Sequence, residues 1–94
     1  MPLKFEWNPD KAEKNMEKHG VSFDEAATVF SDPLSMTYND PDHSYNEERY
    51  IIIGLSSLGK LLFVSHAEKN DRIRIISARQ LTRKERKQYE QQYL

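Results

Sequence analysis

The residues best equipped for chemistry gather late in the chain. From Arg72 to Lys87 the sequence RIRIISARQLTRKERK holds seven Lys or Arg (Arg72, Arg74, Arg79, Arg83, Lys84, Arg86 and Lys87) against one acid, Glu85. Arginine presents planar, permanently charged donors that suit phosphate oxygens and the extra charge of a reacting phosphorus. Groups able to move protons flank this run: His66 before it, Tyr89 after it, and Lys11, Lys18 and His19 nearer the N-terminus. Proton transfer by such a side chain is typically worth about 10²–10⁴ in rate. Other chemistries lack their parts. The chain has no cysteine, which excludes disulfides, thiolate metal sites and a Cys nucleophile. It has no Gly-rich phosphate loop and no Ser-His-Asp arrangement of recognisable spacing. Asp40-Pro41-Asp42-His43 supplies two carboxylates and one His, too few for a closed metal site, and a polar acidic loop explains it better.

Each candidate has a plainer reading beside the chemical one. In strict alternation Arg72 and Arg74 share a strand face, and Arg79 falls on the opposite face with Ile73, Ile75 and Ser77. Long side chains on solvated faces would then explain them, unless a bulge near Ser77 returns Arg79 to the other side. The place of His66 depends on the next turn. A three-residue loop at Lys69-Asn70-Asp71 pairs it with Arg74; a two-residue loop sets it beside Ile73 and Ile75. Arg83, Lys84, Arg86 and Lys87 crowd the start of a helix, the unfavourable end for cations, and an anionic partner would offset that repulsion. His19 and Lys18 suit a helix C-terminus through its dipole alone. Tyr89 and Tyr93, four apart, fit packing against a sheet as well as base stacking, and Trp7 reads as a core or interface anchor.

The charges are unevenly divided. Residues 1–48 carry four Lys and eleven acids; residues 49–94 carry ten Lys or Arg and four acids. A total of −1 thus conceals a dipolar chain. The basic half is a footprint for a polyanion, and the near-neutral total argues against a general chromatin-like binder. Ninety-four residues make one domain, 1–94. Apolar runs such as Ile51-Ile52-Ile53 and Leu61-Leu62-Phe63-Val64 are far too short to span a bilayer, and MPLKFEWNPDKAEKN lacks an apolar signal core. A soluble cytoplasmic protein is expected.

The elements that must position these groups follow from caps and alternation. Leu3 to Trp7 suits a short strand or entry arm. Asn8 caps a helix with Pro9 at its first position, and Gly20 ends it. Ser22-Phe23-Asp24-Glu25 is a capping box for a second helix to about Phe30, striped by Phe23, Ala26, Ala27 and Phe30 and stopped by Asp32-Pro33. A polar loop or β-connection spans Asn39 to Glu48. Strands are expected at Arg49–Ser56, Lys60–Ala67 and Arg72–Arg79, joined by short turns. Thr82-Arg83-Lys84-Glu85 is another capping box, opening a last helix to about Tyr93. The fold class is therefore α+β: two N-terminal helices, a three- to four-stranded antiparallel sheet and a C-terminal helix.

Three segments, FEWNPDKAEKNMEKHGVSFDEAATVFSDP, GLSSLGKLLFVSH and RIRIISARQLTRKERKQYE, stand in an order and spacing that resemble the BrnT family of type II toxins. The resemblance covers about Phe5 to Glu90, with Lys18-His19-Gly20 between helices and the Arg-Ile-Ile-Ser-Ala-Arg strand as its most distinctive parts. It implies a RelE-like ribonuclease domain that inhibits translation by cutting RNA, and a BrnA-type antitoxin that neutralises it. Operator DNA would be met only indirectly, through that antitoxin. In RelE-like toxins the active surface uses basic residues on the sheet and a polar group such as Tyr near the C-terminus. Arg72, Arg74, Arg79 and Tyr89 match that by location. The resemblance also gives Lys11 or His19 a role in the site or its architecture.

RNA can be cut without metal or cofactor, because its own 2′-OH attacks the neighbouring phosphate. The expected catalytic set is Arg79, His66, Arg74 and Tyr89. Arg72, Arg83, Lys84, Arg86 and Lys87 would bind RNA, with Lys11 and His19 in support. Two rival readings need the same basic surface: a non-catalytic RNA- or ribosome-binding module, and a regulatory domain that docks an acidic partner.

Overall fold

The computed structural model describes residues 3–43 and 47–92. Its helices begin where the caps direct. Asn8 accepts hydrogen bonds from the backbone N–H of Asp10 (2.8 Å) and Lys11 (3.3 Å), opening α1 (Pro9–His19). Gly20 closes α1 in the left-handed region at φ 68°, where glycine is unstrained. Ser22 receives the Glu25 N–H at 3.0 Å and opens α2 (Phe23–Thr28). The other half of that box is missing, because the Glu25 carboxylate accepts from Ser56 Oγ at 2.7 Å instead. Phe30, expected in the helix, lies in a 3₁₀ turn, Val29–Ser31. The late box is complete: Thr82 and Glu85 bond reciprocally and start α3 (Arg83–Gln91). Tyr93 lies outside the described residues.

The sheet is larger than expected and mixed rather than antiparallel. Among the described residues it has five strands: β1 (Lys4–Glu6), β2 (Met36–Asn39), β3 (Arg49–Leu55), β4 (Leu61–Lys69) and β5 (Arg72–Gln80), ordered β1-β5-β4-β3-β2. The meander β2-β3-β4-β5 is antiparallel, while β1 runs parallel to β5 with Lys4 opposite Arg72. Both additional strands are too short to show a period. The partner of β1 lies at the far end of the chain, so no local signal announces the pairing.

One face of this sheet carries α1 and α2. Val21, Phe23, Ala26 and Val29 meet Ile52, Leu62, Val64, Ile75 and Ala78 in a buried cluster. Trp7 packs on it as an anchor, its ring edge-on to Phe23 at 5.9 Å. Burying these apolar side chains contributes about 1.5–3 kcal/mol for each large one. Beyond β1 the edge of β5 is closed by a side chain instead of a strand. Buried Asn15 of α1 accepts from Ala78 N–H (3.1 Å) and donates to the carbonyls of Ala78 (2.8 Å) and Val21 (2.9 Å). These bonds satisfy backbone groups that would otherwise be costly to bury, and they fix α1 against β5.

Candidate active site

The decisive local feature is one extra residue. On β4 and β5, Ser65 pairs with Ser77 but His66 pairs with Ile75, so Ile76 is a bulge. Strict alternation would set Arg79 on the face of Ile73 and Ile75. The bulge resets the phase, and Ser77 and Arg79 join Arg72 and Arg74 on the face opposite the helical core. Three rows cross that face: Ile53-Phe63-Arg79, Ile51-Ser65-Ser77 and Arg49-Ala67-Arg74.

The arginines are held by carboxylates. Arg79 forms a two-pronged pair with Glu85 (2.8 and 3.0 Å), donates to the Gln80 carbonyl, and lies 4.1 Å above the Phe63 ring. The hydrogen bond to Glu85 stabilises the guanidinium's charge. Chiefly through the same bond, the Glu85 carboxyl is held down to about 2, although partial burial opposes this. Because Glu85 also caps α3, one residue ties the start of that helix to Arg79. Arg74 pairs with Glu47, which also lies 3.9 Å from Arg49, and Arg72 reaches Glu6 at 3.5 Å.

Between the rows of Arg79 and Arg74 lies a cleft of about 380 Å³, with Ser65 and Ser77 inside and Phe63, Arg49, Asp40 and His43 around it. A second cleft, about 200 Å³, lies beside it and shares Ile76 and Ser77. Its other wall is α1, through Lys11, Lys14, Lys18 and His19. The bulge therefore brings Lys11 and His19 to the edge of the arginine face, and it adds Lys14 and Lys18 to the expected set. Their spacing along α1 is the signal that could have found them.

Six other expected residues lie elsewhere. The β4–β5 loop is the two-residue form, with Asn70 at φ 58°, so His66 points into the core. It is 1% exposed, edge-on to Phe30 at 4.8 Å and stacked on Tyr50 at 5.9 Å. Of the two readings left open by the loop length, the structure takes the one beside Ile75, and a ring there does not reach the arginine face, where a catalytic His66 would have to stand. Burial pushes its pKa below the ordinary 6.5. Tyr89 packs over the far end of the open face, donating to the Leu34 carbonyl at 3.3 Å and lining a cavity with Tyr38 and Ile53. Arg83, Lys84, Arg86 and Lys87 are exposed on α3, and none of the ion pairs among the described residues involves them. Among the described residues, no three His, Asp or Glu groups come together to hold a metal.

The profile of a family described as "Ribonuclease toxin, BrnT, of type II toxin-antitoxin system" matches residues 7–85. The chain belongs to the BrnT toxin family. A search of curated proteins gave no significant match. Among solved structures, the chain is similar to the ribonuclease toxin BrnT of Brucella abortus, with a TM-score of 0.64 and 20% identity. That alignment covers 87% of this chain and all of the Brucella one. At this identity the likeness speaks for the fold. The BrnT profile ends at Glu85, so it takes in both clefts, the bulge and the Arg79–Glu85 pair. Membership also implies an antitoxin partner.

Proposed function

We propose that this BrnT-family chain is an endoribonuclease that inhibits translation by cutting RNA in a RelE-like, metal-independent manner. The observation that carries this reading is the Ile76 bulge. It turns two separate arginine sets into one basic face and places a cleft with two serines in its middle. A single RNA strand would lie along both clefts, its phosphates met by Lys11, Lys14 and Lys18 on one side and by Arg49 and Arg79 on the other. Arg79 is the leading donor to the reacting phosphate, because Phe63 and Glu85 fix its plane before substrate arrives. Arg72, Arg74 and the α3 cations would extend the binding surface, and His19 would stand at its edge. Tyr89 would serve the far end of the face, where Tyr38 also lies. The substrate's 2′-OH supplies the nucleophile, so the reaction needs no metal-generated hydroxide. A BrnA-type antitoxin would neutralise the toxin in the cytoplasm by covering this face, and would itself make any operator-DNA contact.

The test is incubation of purified protein with a defined RNA in EDTA, with and without ribosomes, followed by analysis of product ends. Cleavage should leave 2′,3′-cyclic or 3′-phosphate ends. Arg79→Ala should lower it about 10²–10³-fold, as loss of one transition-state donor does elsewhere. Arg79→Lys keeps the charge but not the fork, and should restore binding more than rate. Full activity in folded Arg79→Ala protein would remove that residue from the site. A folded wild type silent under both conditions would favour the non-catalytic binding module.

A further inference from the structure

One step of the reaction is beyond the cations of the basic face. The 2′-OH must lose a proton as it attacks, and the arginines and lysines around the clefts are charged donors with no lone pair to offer. His66 is sealed in the core on the other face. His19 lines the second cleft and not the central one; the histidine that lines the central cleft is His43, in the 3₁₀ turn Pro41–His43. Its Nδ1 lies 3.0 Å from Asp40 Oδ2. Their exposures differ in an informative way: the imidazole side chain is 64% accessible, while the Asp40 side chain is 14% accessible.

We propose that His43 is the general base of RNA cleavage and that Asp40 is its positioning residue, an inference that rests on the ribonuclease reading. A carboxylate oxygen only accepts, so the Asp40 contact puts the ring proton on Nδ1 and leaves the lone pair on Nε2. Nε2 is then the acceptor of a largely accessible ring, and the cleft that the ring lines is where a substrate hydroxyl would meet it. A similar division of labour, a carboxylate fixing an imidazole that takes a hydroxyl proton, activates nucleophiles on unrelated folds. Arg49 lines the same cleft and is placed to hold a phosphate beside the ring.

The step balances within the substrate. The 2′-OH proton passes to His43 Nε2, and O2′ forms a bond to phosphorus. The P–O5′ bond breaks, and its electron pair leaves with O5′. That oxygen takes a proton from water, and His43 returns its own proton to solvent. The products are a 2′,3′-cyclic phosphate and a 5′-hydroxyl.

The experiment compares wild type, His43→Gly, His43→Gln and Asp40→Asn on one RNA, free and in translating ribosomes, with thermal melts as a fold control. Both His43 variants should lose about 10²–10⁴ in rate, the usual worth of a general base, and keep RNA affinity. Free imidazole should restore cleavage to His43→Gly in proportion to its neutral form, and should do nothing for His43→Gln, where the space is filled. Asp40→Asn should lower kcat with little change in KM. Wild-type activity in folded His43→Gly, or loss that imidazole does not rescue, overturns the inference alone. A wild type that never yields cyclic-phosphate ends overturns the ribonuclease reading and this inference with it.

Discussion

At the scale of single residues, burial decides what each histidine can do. His66 is 1% exposed between the rings of Phe30 and Tyr50, and His43 stands over a cleft with its Nδ1 on a carboxylate. The buried ring has a consequence for stability. The unfolded chain takes up a proton at His66 near the ordinary 6.5, while the folded protein resists it because of desolvation. Two raising influences, the Val64 carbonyl bond and the Glu68 charge, only partly oppose this. The unfolded state then binds more protons, so His66's stabilising contribution is complete above about 6.5 and declines as pH falls toward the folded value. The loss is at most about 1.4 kcal/mol per pH unit in that window. Urea unfolding at pH 7.5 and pH 5.5 should show the step in wild type and a smaller one in His66→Phe. Equal steps in the two proteins would relieve His66 of that role.

At the scale of elements, positions are set by close approaches between segments distant in sequence. Gly54 on β3 is buried, and a Cβ there would come within 2.9 Å of Ser35 Cβ and 3.0 Å of Val29 Cγ1 and Asp32 Oδ2. Asp32 in turn accepts from the N–H of Leu55 (2.8 Å) and Leu34 (3.0 Å), so the chain entering β2 is bound tightly to β3. The turn after β3 is fastened to α2 in the same region: Glu25 holds Ser56, and the Thr28 hydroxyl receives the Ser57 N–H at 2.9 Å. Gly54→Ala should therefore destabilise the fold by about 1–3 kcal/mol through overpacking, read as a lowered thermal midpoint by circular dichroism. An unchanged midpoint would mean that the 3₁₀ turn yields at little cost. The Ile76 bulge is the other element-scale device, since one inserted residue decides which face Arg79 joins.

At the scale of the molecule, the sheet divides two tasks. One face is covered by α1 and α2 and supplies the apolar core. The other gathers the basic residues, and α1 contributes its lysines around the edge of β5. The carboxylates of Glu6, Glu47 and Glu85 are paired with arginines there, so an incoming phosphate must share or displace them. Binding should still be governed by phosphate neutralisation, with log affinity falling linearly with log salt at a slope of about 0.7 per phosphate contacted on a single strand. Fluorescence anisotropy with a labelled RNA between low and moderate salt measures it, and a flat line would exclude a phosphate-dominated surface. Replacing Lys11, Lys14 and Lys18 together by Ala should make the slope shallower, while leaving the core untouched.

What the sequence by itself determined was local: the caps at Asn8, Ser22 and Thr82, the stop at Gly20, the three long strands, and the basic run that ends in α3. These follow from hydrogen bonds and alternation over a few residues, so a short window contains their cause. The tertiary structure decided everything that depends on contacts across the chain. The parallel pairing of β1 with β5 joins Lys4 to Arg72, and a three-residue strand carries no period to reveal it. The length of the Asn70-Asp71 turn and the bulge at Ile76 both leave the composition unchanged while reversing which face a side chain occupies. Each shifts the phase of a two-residue repeat, and such a shift is fixed by packing against neighbouring strands and α1. His43 shows the same limit in part: its contact with Asp40 is local, three residues away, but only folding brings that turn to the cleft of Ser65 and Ser77.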